Sequence, residues 1–469
     1  EQILSAIQSL DEGPNFVHIL ARPGNSNVSD IPLSPLDIKK NMKDTPKVFQ
    51  EASHYVDTML RNYDKEDKFF GKMRGLAFMY YLAASIRSGF VNLTQNFQTG
   101  IPFLARELKG MGKGPLGAER IMTKAMWDVA MGRLTEKERF MDNELLSKGI
   151  TNDQYMRQIS REVGGKFEGT LGKVSEIISA PFSKAEIFNR RSAALAAFRV
   201  YKDQGLNFEE SLGKIRDFID KTHYLMTKAN LPHAMRGGDI PSKLLGTAYT
   251  FRRFNHNYIL SMVESLRGTD GKFHLANIDV LARSLTWLTI LGGISSIPFA
   301  DDILDQLEKM TGIPYRSNMR KWMREVGGDA LERMGTAGIP ALLGQIPGMV
   351  GTDISGSLNI GLPNLSQPTQ GASETVFGVW GGLAKKAANA YQSVGRGDYL
   401  RAVEYASPIF LENLLKAVRM STVGATTPTG RILYDEKGQP IKMTGREAAA
   451  QMMSFRPEPD IFQCRTIFQ

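Results

Sequence analysis

Cysteine is almost absent from this chain. One residue, Cys464, in 469 excludes an internal disulfide framework and any cysteine-based metal cluster, and it fits synthesis in a reducing compartment. Histidine is scarce too. The six, His18, His54, His223, His233, His256 and His274, include no HxxxH spacing that would set two ligands on one helix face. No metal site and no cofactor is expected. Neither a G-x-S-x-G elbow nor a Ser/His/Asp set stands out, and an enzymatic role is not expected. Credible strands are few, so the predicted class is mainly α, an extended multi-helix assembly protein with at most one small β-hairpin.

Charge is missing locally. In a chain that is 23% charged, residues 334–384 carry only Asp353 and Glu374. The same stretch holds four prolines and eleven glycines, which interrupt a helical hydrogen-bond ladder and exclude one continuous membrane helix. Short apolar helices joined by glycine turns are expected there. A second uncharged run, Ser284 to Ala300, falls just short of the roughly 20 residues that span a bilayer. It reads either as a membrane-entering segment or as a buried core helix. The side chains expected at a membrane or assembly contact are Trp287, Leu288, Ile290, Leu291 and Ile294 in this run, then Leu342, Leu343, Ile346, Met349, Val350, Phe377 and Trp380.

What is present is enough apolar content, 42%, to bury a large core, and a formal net charge of +9 that favours polyanions such as DNA or anionic lipid. Residues 1–45 read as an irregular lead-in, 46–275 as a helical region, 276–390 as the low-charge apolar region, and 391–469 as a C-terminal helix, hairpin and tail. Thr45-Pro46 has the form of an N-cap followed by proline at the first helical position. Residues 76–107 are so rich in apolar and small residues that they are expected to be central. Ser183, with Glu186 three residues on, predicts the start of a capped helix. Its face with Arg190, Arg191, Arg199 and Lys202 is a candidate DNA contact, as are Arg252 and Arg253 in FRRFNHNY, where aromatics alternate with basic groups. The alternative for both is an ordinary solvated or ion-paired face. KGMGKGPLG (109–117) lacks the spacing to a Lys-Ser/Thr pair and reads as a solvated basic loop. Glu264-Ser265 reads as a helix-end carboxylate, although a Glu-Ser pair also occurs in lytic transglycosylases. Lys437-Gly438 predicts a hairpin turn within GRILYDEKGQP. The first residue is Glu1 and no signal peptide is visible, so the sequence is expected to begin partway through a longer translated product.

Several stretches, in order, resemble one family. They are FNRRSAALAAFRVYKDQG (188–205), THYLMTKANLPHAMRGGDIPSKLLGTAYTFRRFNHNYI (222–259), the apolar run ending IPFADDILDQLEK, GIPALLGQIPGMVGTDISGSLNIGLP, and SPIFLENLLKAVRMSTVGATTPTGRILYDEKG followed by FRPEP (455–459). Over roughly residues 180–460 the chain resembles the helical C-terminal parts of internal virion proteins, the ejection proteins of short-tailed phages, and related modules of large polyvalent phage proteins. The resemblance implies a structural virion protein, held in the capsid interior and ejected at infection. It would then oligomerise into part of a DNA-translocation conduit across the host cell envelope. The implied partners are further copies of the chain, other virion core, portal or tail proteins, DNA and host membrane lipid. Two alternatives remain open at this point. One is a catalytically silent scaffold portion of a large polyvalent protein whose enzymatic domain, peptidoglycan-cleaving or a polymerase, lies before Glu1. The other is a soluble scaffold packed on a portal or tail ring.

Overall fold

The computed structural model describes residues 65–81, 85–109, 111–114, 116–153, 170–224, 235, 239–249, 253–267, 272–274, 278–343, 351–358, 379–427, 431–435 and 437–458. It is mainly α. The first described part contains α1 (Lys65–Tyr81), α2 (Ile86–Leu93), a π-helix (Asn96–Gly100), α3 (Ile101–Glu107), α4 (Gly117–Ala130) and α5 (Glu136–Ser147). Then come α6 (Thr170–Asp203), α7 (Phe208–His223), α8 (Ile240–Ala248), α9 (Arg253–Ser265) and α10 (Asp279–Gly292). The remaining elements are α11 (Ala300–Thr311), α12 (Tyr315–Ala337), α13 (Ile339–Leu342), β1 (Gly351–Asp353), α14 (Ser355–Leu358), α15 (Val379–Gly395), α16 (Tyr399–Ala406), α17 (Ile409–Thr422), α18 (Gly445–Met452) and β2 (Arg456–Glu458). The lead-in, Thr45-Pro46 and most of the helix expected after it lie outside the described residues.

The core is organised around α6, a helix of 34 residues. Its SAALAA segment is the reason. Ala193, Ala194, Ala196 and Ala197 are fully buried, and side chains this small let α2, α4 and α7 come close on several sides. Large groups from those neighbours, among them Met122, Ile215 and Ile219, fill the space between. The sequence places a helix start at Ser183, but α6 runs through Pro181 from Thr170. Ser183 is therefore interior, and Glu186 pairs with Arg190 instead of closing a capping box.

Caps written in the local sequence set several boundaries. Thr135 with Glu138, Asn207 with Glu210, and Thr444 with Glu447 each form a reciprocal capping box, which satisfies helix N–H groups that would otherwise lack acceptors. These caps split stretches that the periodicity joins. Within the helical region of 46–275, Thr135 separates α4 from α5. Where the sequence predicts one C-terminal helix within 391–469, the chain breaks at Gly397-Asp398 and at Ser407-Pro408 into α15, α16 and α17.

The uncharged run Ser284 to Ala300 begins in the second half of α10, which packs on α3 and the π-helix as well as on α12, and continues through a 3-10 turn, Ile294–Ser296. Leu288 is fully buried, and the Trp287 ring lies 5.0 Å from that of Phe97. In the α10 part of the run Ser284, Leu288 and Gly292 are buried and most of the other residues are half-buried. Among the described residues no helix is long and apolar enough to cross a membrane.

Strand structure is small but long-range. β1 pairs antiparallel with β2, Gly351 opposite Glu458 and Asp353 opposite Arg456, closing the low-charge region onto the C-terminal segment. The predicted hairpin turn is present, with Gly438 N–H donating to Asp435 O at 3.0 Å, but its arms form isolated bridges, Thr426 to Ile432 and Tyr434 to Pro440. A third arm, Ile441, donates to Leu433 O, and Ala425 donates to Ile441 O.

Candidate functional site

Among the described residues the π-helix is a polar place in the interior. The run TQNFQTG puts Gln95, Asn96, Gln98 and Thr99 inside a segment otherwise apolar, and all four are buried. Burial of amides and hydroxyls is tolerable only when they are hydrogen-bonded. Gln95 Nε2 donates to Thr222 O at 3.0 Å, and Thr99 Oγ1 reaches the same carbonyl at 2.8 Å. Asn96 Nδ2 donates to Asn189 O on α6 at 3.2 Å, while Asn189 Nδ2 donates back to Asn92 O at 2.6 Å. Ser284 of α10 donates to Gln98 O at 2.5 Å. Since the serine proton is committed there, the Tyr258 hydroxyl, 2.6 Å from Ser284 Oγ, is the donor in that pair. Burial pushes the Tyr258 hydroxyl up to about 12, so it remains a donor at neutral pH. Five elements, α2, α6, α7, α9 and α10, thus meet the π-helix or its flanks through a polar hub.

Arg190 completes the hub. Its side chain is 1% exposed, and Nη2 donates to His223 O and Tyr224 O at 3.0 Å each, where α7 ends. Terminal helix carbonyls carry negative partial charge, which a guanidinium satisfies and neutralises. Nε donates to Glu186 at 3.2 Å. The Tyr224 backbone beyond sits at φ +54, a left-handed value unusual for a tyrosine. His223 is buried with Nδ1 2.9 Å from Thr222 Oγ1. Burial, and then the Arg190 charge, hold its pKa well below the ordinary value, so it is neutral here.

Arg191 and Arg199 are ion-paired as well, while Lys202 of the same expected face is exposed. Arg191 grips Asp142 of α5 with both Nε (3.0 Å) and Nη2 (2.5 Å). Arg199 bridges Glu138 at 2.8 Å and Asp128 at 2.7 Å. Burial works against the charges of Asp128 and Glu138, yet the Arg199 hydrogen bonds outweigh it and hold both carboxyls below their usual range. These arginines are consumed by carboxylates contributed by helices 49 to 71 residues earlier in the chain. Arg253 is buried, and Arg252 lies outside the described residues.

The expected membrane or assembly residues scatter. Leu288 is core, while Trp287, Ile290, Leu291, Ile294, Leu342 and Trp380 are half-buried. Leu343 is exposed; Ile346, Met349, Val350 and Phe377 lie outside the described residues. The KGMGKGPLG loop lines a half-open cavity of about 260 Å³ with Lys109, Lys113 and Arg283. Each of these cations is paired, with Asp279, Asp203 and Glu119 respectively. Glu264 is exposed in the last turn of α9. Among the described residues no group of three His, Cys, Asp or Glu is placed to hold a metal ion. Comparison with models of known families, with curated proteins and with solved structures found no match.

Asp220 carries a pH signature of the hub's rim. Burial pushes its carboxyl up to about 6, against Arg190 and Arg216 and with help from Asp217. The ordinary value is about 3.9, so between about pH 4 and 6 the folded state holds a proton that the unfolded state releases. Stability from this group is complete below pH 4 and lost as pH rises through 6. Asp220→Asn should therefore be the more stable protein at pH 7, by about 2 kcal/mol, with little difference at pH 4. His223 acts in the opposite sense, its contribution fading as pH falls below 6.5. Urea unfolding at several pH values checks this, and equal pH slopes in both proteins would refute the assignment to Asp220.

Proposed function

We propose that the chain is a structural protein of a phage particle, ejected at infection, that oligomerises into part of a DNA-translocation conduit across the host cell envelope. The observation that carries the assembly part is the reversed polarity of α11. A surface helix normally buries its apolar stripe and exposes its charges. Here Arg316 of α12 takes Asp301 O at 2.6 Å and also pairs with Asp305 and Glu308, so the acidic face of α11 points inward. At 100° per residue, Ile303, Leu307 and Met310 fall on the opposite side, and all three are exposed, Met310 by 81%. No residue of α11 is buried. An apolar face held outward by an ion-pair clamp suits a chain whose partner surface lies on another subunit. The phage assignment rests on the order of motifs along residues 180–460.

Electron microscopy and sedimentation velocity of the purified chain test this reading. Rings or tubes with a central channel are expected, and Leu307→Asp should weaken association by about tenfold or more, as desolvating a carboxylate replaces burying a leucine. A chain that remains monomeric at every concentration would overturn it.

A further inference from the structure

The net charge of +9 is not spread evenly once the ion pairs are assigned. Residues 379–455, the unit of α15 to α18 with its bridged hairpin, hold ten basic and six acidic side chains, a net charge of +4 in 77 residues. Five of the six acids make contacts within the unit, Glu436 lying outside the described residues. Glu404 is buried against Arg419 at 2.6 Å, and Glu412 pairs with Lys386. Asp398 caps α16, Asp435 accepts from the hairpin turn, and Glu447 closes a capping box. Arg396, Arg431, Lys437, Lys442 and Arg446 are exposed. Buried Arg401 and Arg419 offset buried Glu404 and Glu447, so the unit's excess of four positive charges remains.

The same unit turns apolar groups outward. On α16, Arg401 and Glu404 are buried, and Arg401 donates to Thr427 O at 2.6 Å. Tyr399, Leu400 and Val403 of the same helix are exposed. Helix α17 repeats the pattern, with Arg419 buried and Leu414 and Val418 exposed. Tyr391 at the end of α15 is 83% exposed and Tyr399 is 68% exposed, with Arg396 between them in the chain. Tyrosines with a wet hydroxyl and an apolar ring, aliphatic side chains beside them and an excess of basic groups are the chemistry of a lipid headgroup boundary.

We infer that the α16–α17 face of this C-terminal unit docks peripherally on anionic phospholipid. A neutral protein surface would satisfy the apolar groups but not the charge, and DNA would satisfy the charge but not the aliphatic side chains. This rests on the proposed role at the host envelope and moves the lipid contact away from the low-charge runs, whose α10 portion packs on α3 and α12. Lipid is met without a spanning helix, consistent with the apolar groups being distributed over short helices.

The test is co-sedimentation of the full chain with phosphatidylcholine vesicles, with and without 30% phosphatidylglycerol, at about 0.1 M salt where the Debye length is about 10 Å. Binding is expected only with the anionic lipid. The triple variant Tyr399→Ser, Leu400→Ser, Val403→Ser should bind about tenfold more weakly or worse, since each group loses its share of apolar burial. Its fold is checked by circular dichroism, the replaced groups being exposed. The pair Lys442→Gln, Arg446→Gln should flatten the salt dependence while leaving the apolar contact. Unchanged binding in the triple variant, equal binding to neutral vesicles, or no binding at all would overturn the inference. Rings without vesicle binding would sink this inference alone, whereas vesicle binding by a permanent monomer would sink the assembly reading alone.

Discussion

Gly338→Ala should cost about 3 kcal/mol or more of stability. Gly338 sits at φ +78, ψ −174, and Gly293 at φ +71, ψ −173, a backbone region essentially restricted to glycine. The two form a reciprocal latch. A Cβ on Gly338 would be driven into the backbone carbonyl of Leu291, and one on Gly293 into that of Thr336, closer in both cases than real Cβ atoms come. Backbone cannot yield as a flexible side chain can, so the strain of the dihedral adds to a clash that only separation of α10 from α12 relieves. Ser296 locks the corner by lying within hydrogen-bond distance of both Leu288 O and Gly293 O, 2.6 Å each. Gly213→Ala is the contrast, since Gly213 is in mid-α7 with nothing near its would-be Cβ and an ordinary helical φ. That change should stabilise by about 0.5–1 kcal/mol through lower unfolded-state entropy. Urea unfolding of the two variants decides the matter, and similar midpoints would mean that the latch is absent in solution.

The latch also explains why the sequence misleads around residue 290. Glycines in a low-charge stretch read as interruptions in a membrane segment, because sequence shows what glycine breaks and not what it approaches. Residues 291 and 338 are local only after folding. The π-helix hub has the same character. Its signal was legible, four amide and hydroxyl side chains in a segment whose nearest charges are Arg87 and Arg106, but not the partners Asn189, Thr222 and Ser284, which arrive from three other helices. What does follow from the chain directly is whatever a few neighbouring residues decide. The helical class, the centrality of 76–107 and the turn at Lys437-Gly438 belong there. The helix breaks at Thr135 and Asn207 were equally local, being complete capping boxes, and periodicity alone passes over the first of them.

The arginines of α6 show the limit most clearly, because an arginine pattern on one helix is identical whether it meets phosphate or carboxylate. Arg190→Ala should destabilise by about 3–5 kcal/mol, the range for removing one partner of a buried pair. Three groups would lose this donor together: the Glu186 carboxylate, which is itself buried, and the carbonyls of His223 and Tyr224 at the end of α7. Burying a charge without its partner costs more than the pair contributes, so Arg190→Met with Glu186→Leu should recover much of the loss, as apolar packing replaces an expensive ion pair. Arg191→Ala should cost less, about 1 kcal/mol, because its pair with Asp142 is one-third exposed on the arginine side and screened by water. A DNA-contacting role predicts the reverse order. Unchanged stability in Arg190→Ala, together with a smaller slope of DNA affinity against salt, would return Arg190 to the phosphate-binding reading. Chemical denaturation of the single and double variants, with DNA titrations at two salt concentrations, separates the two, and the burial of Arg190 favours the first outcome.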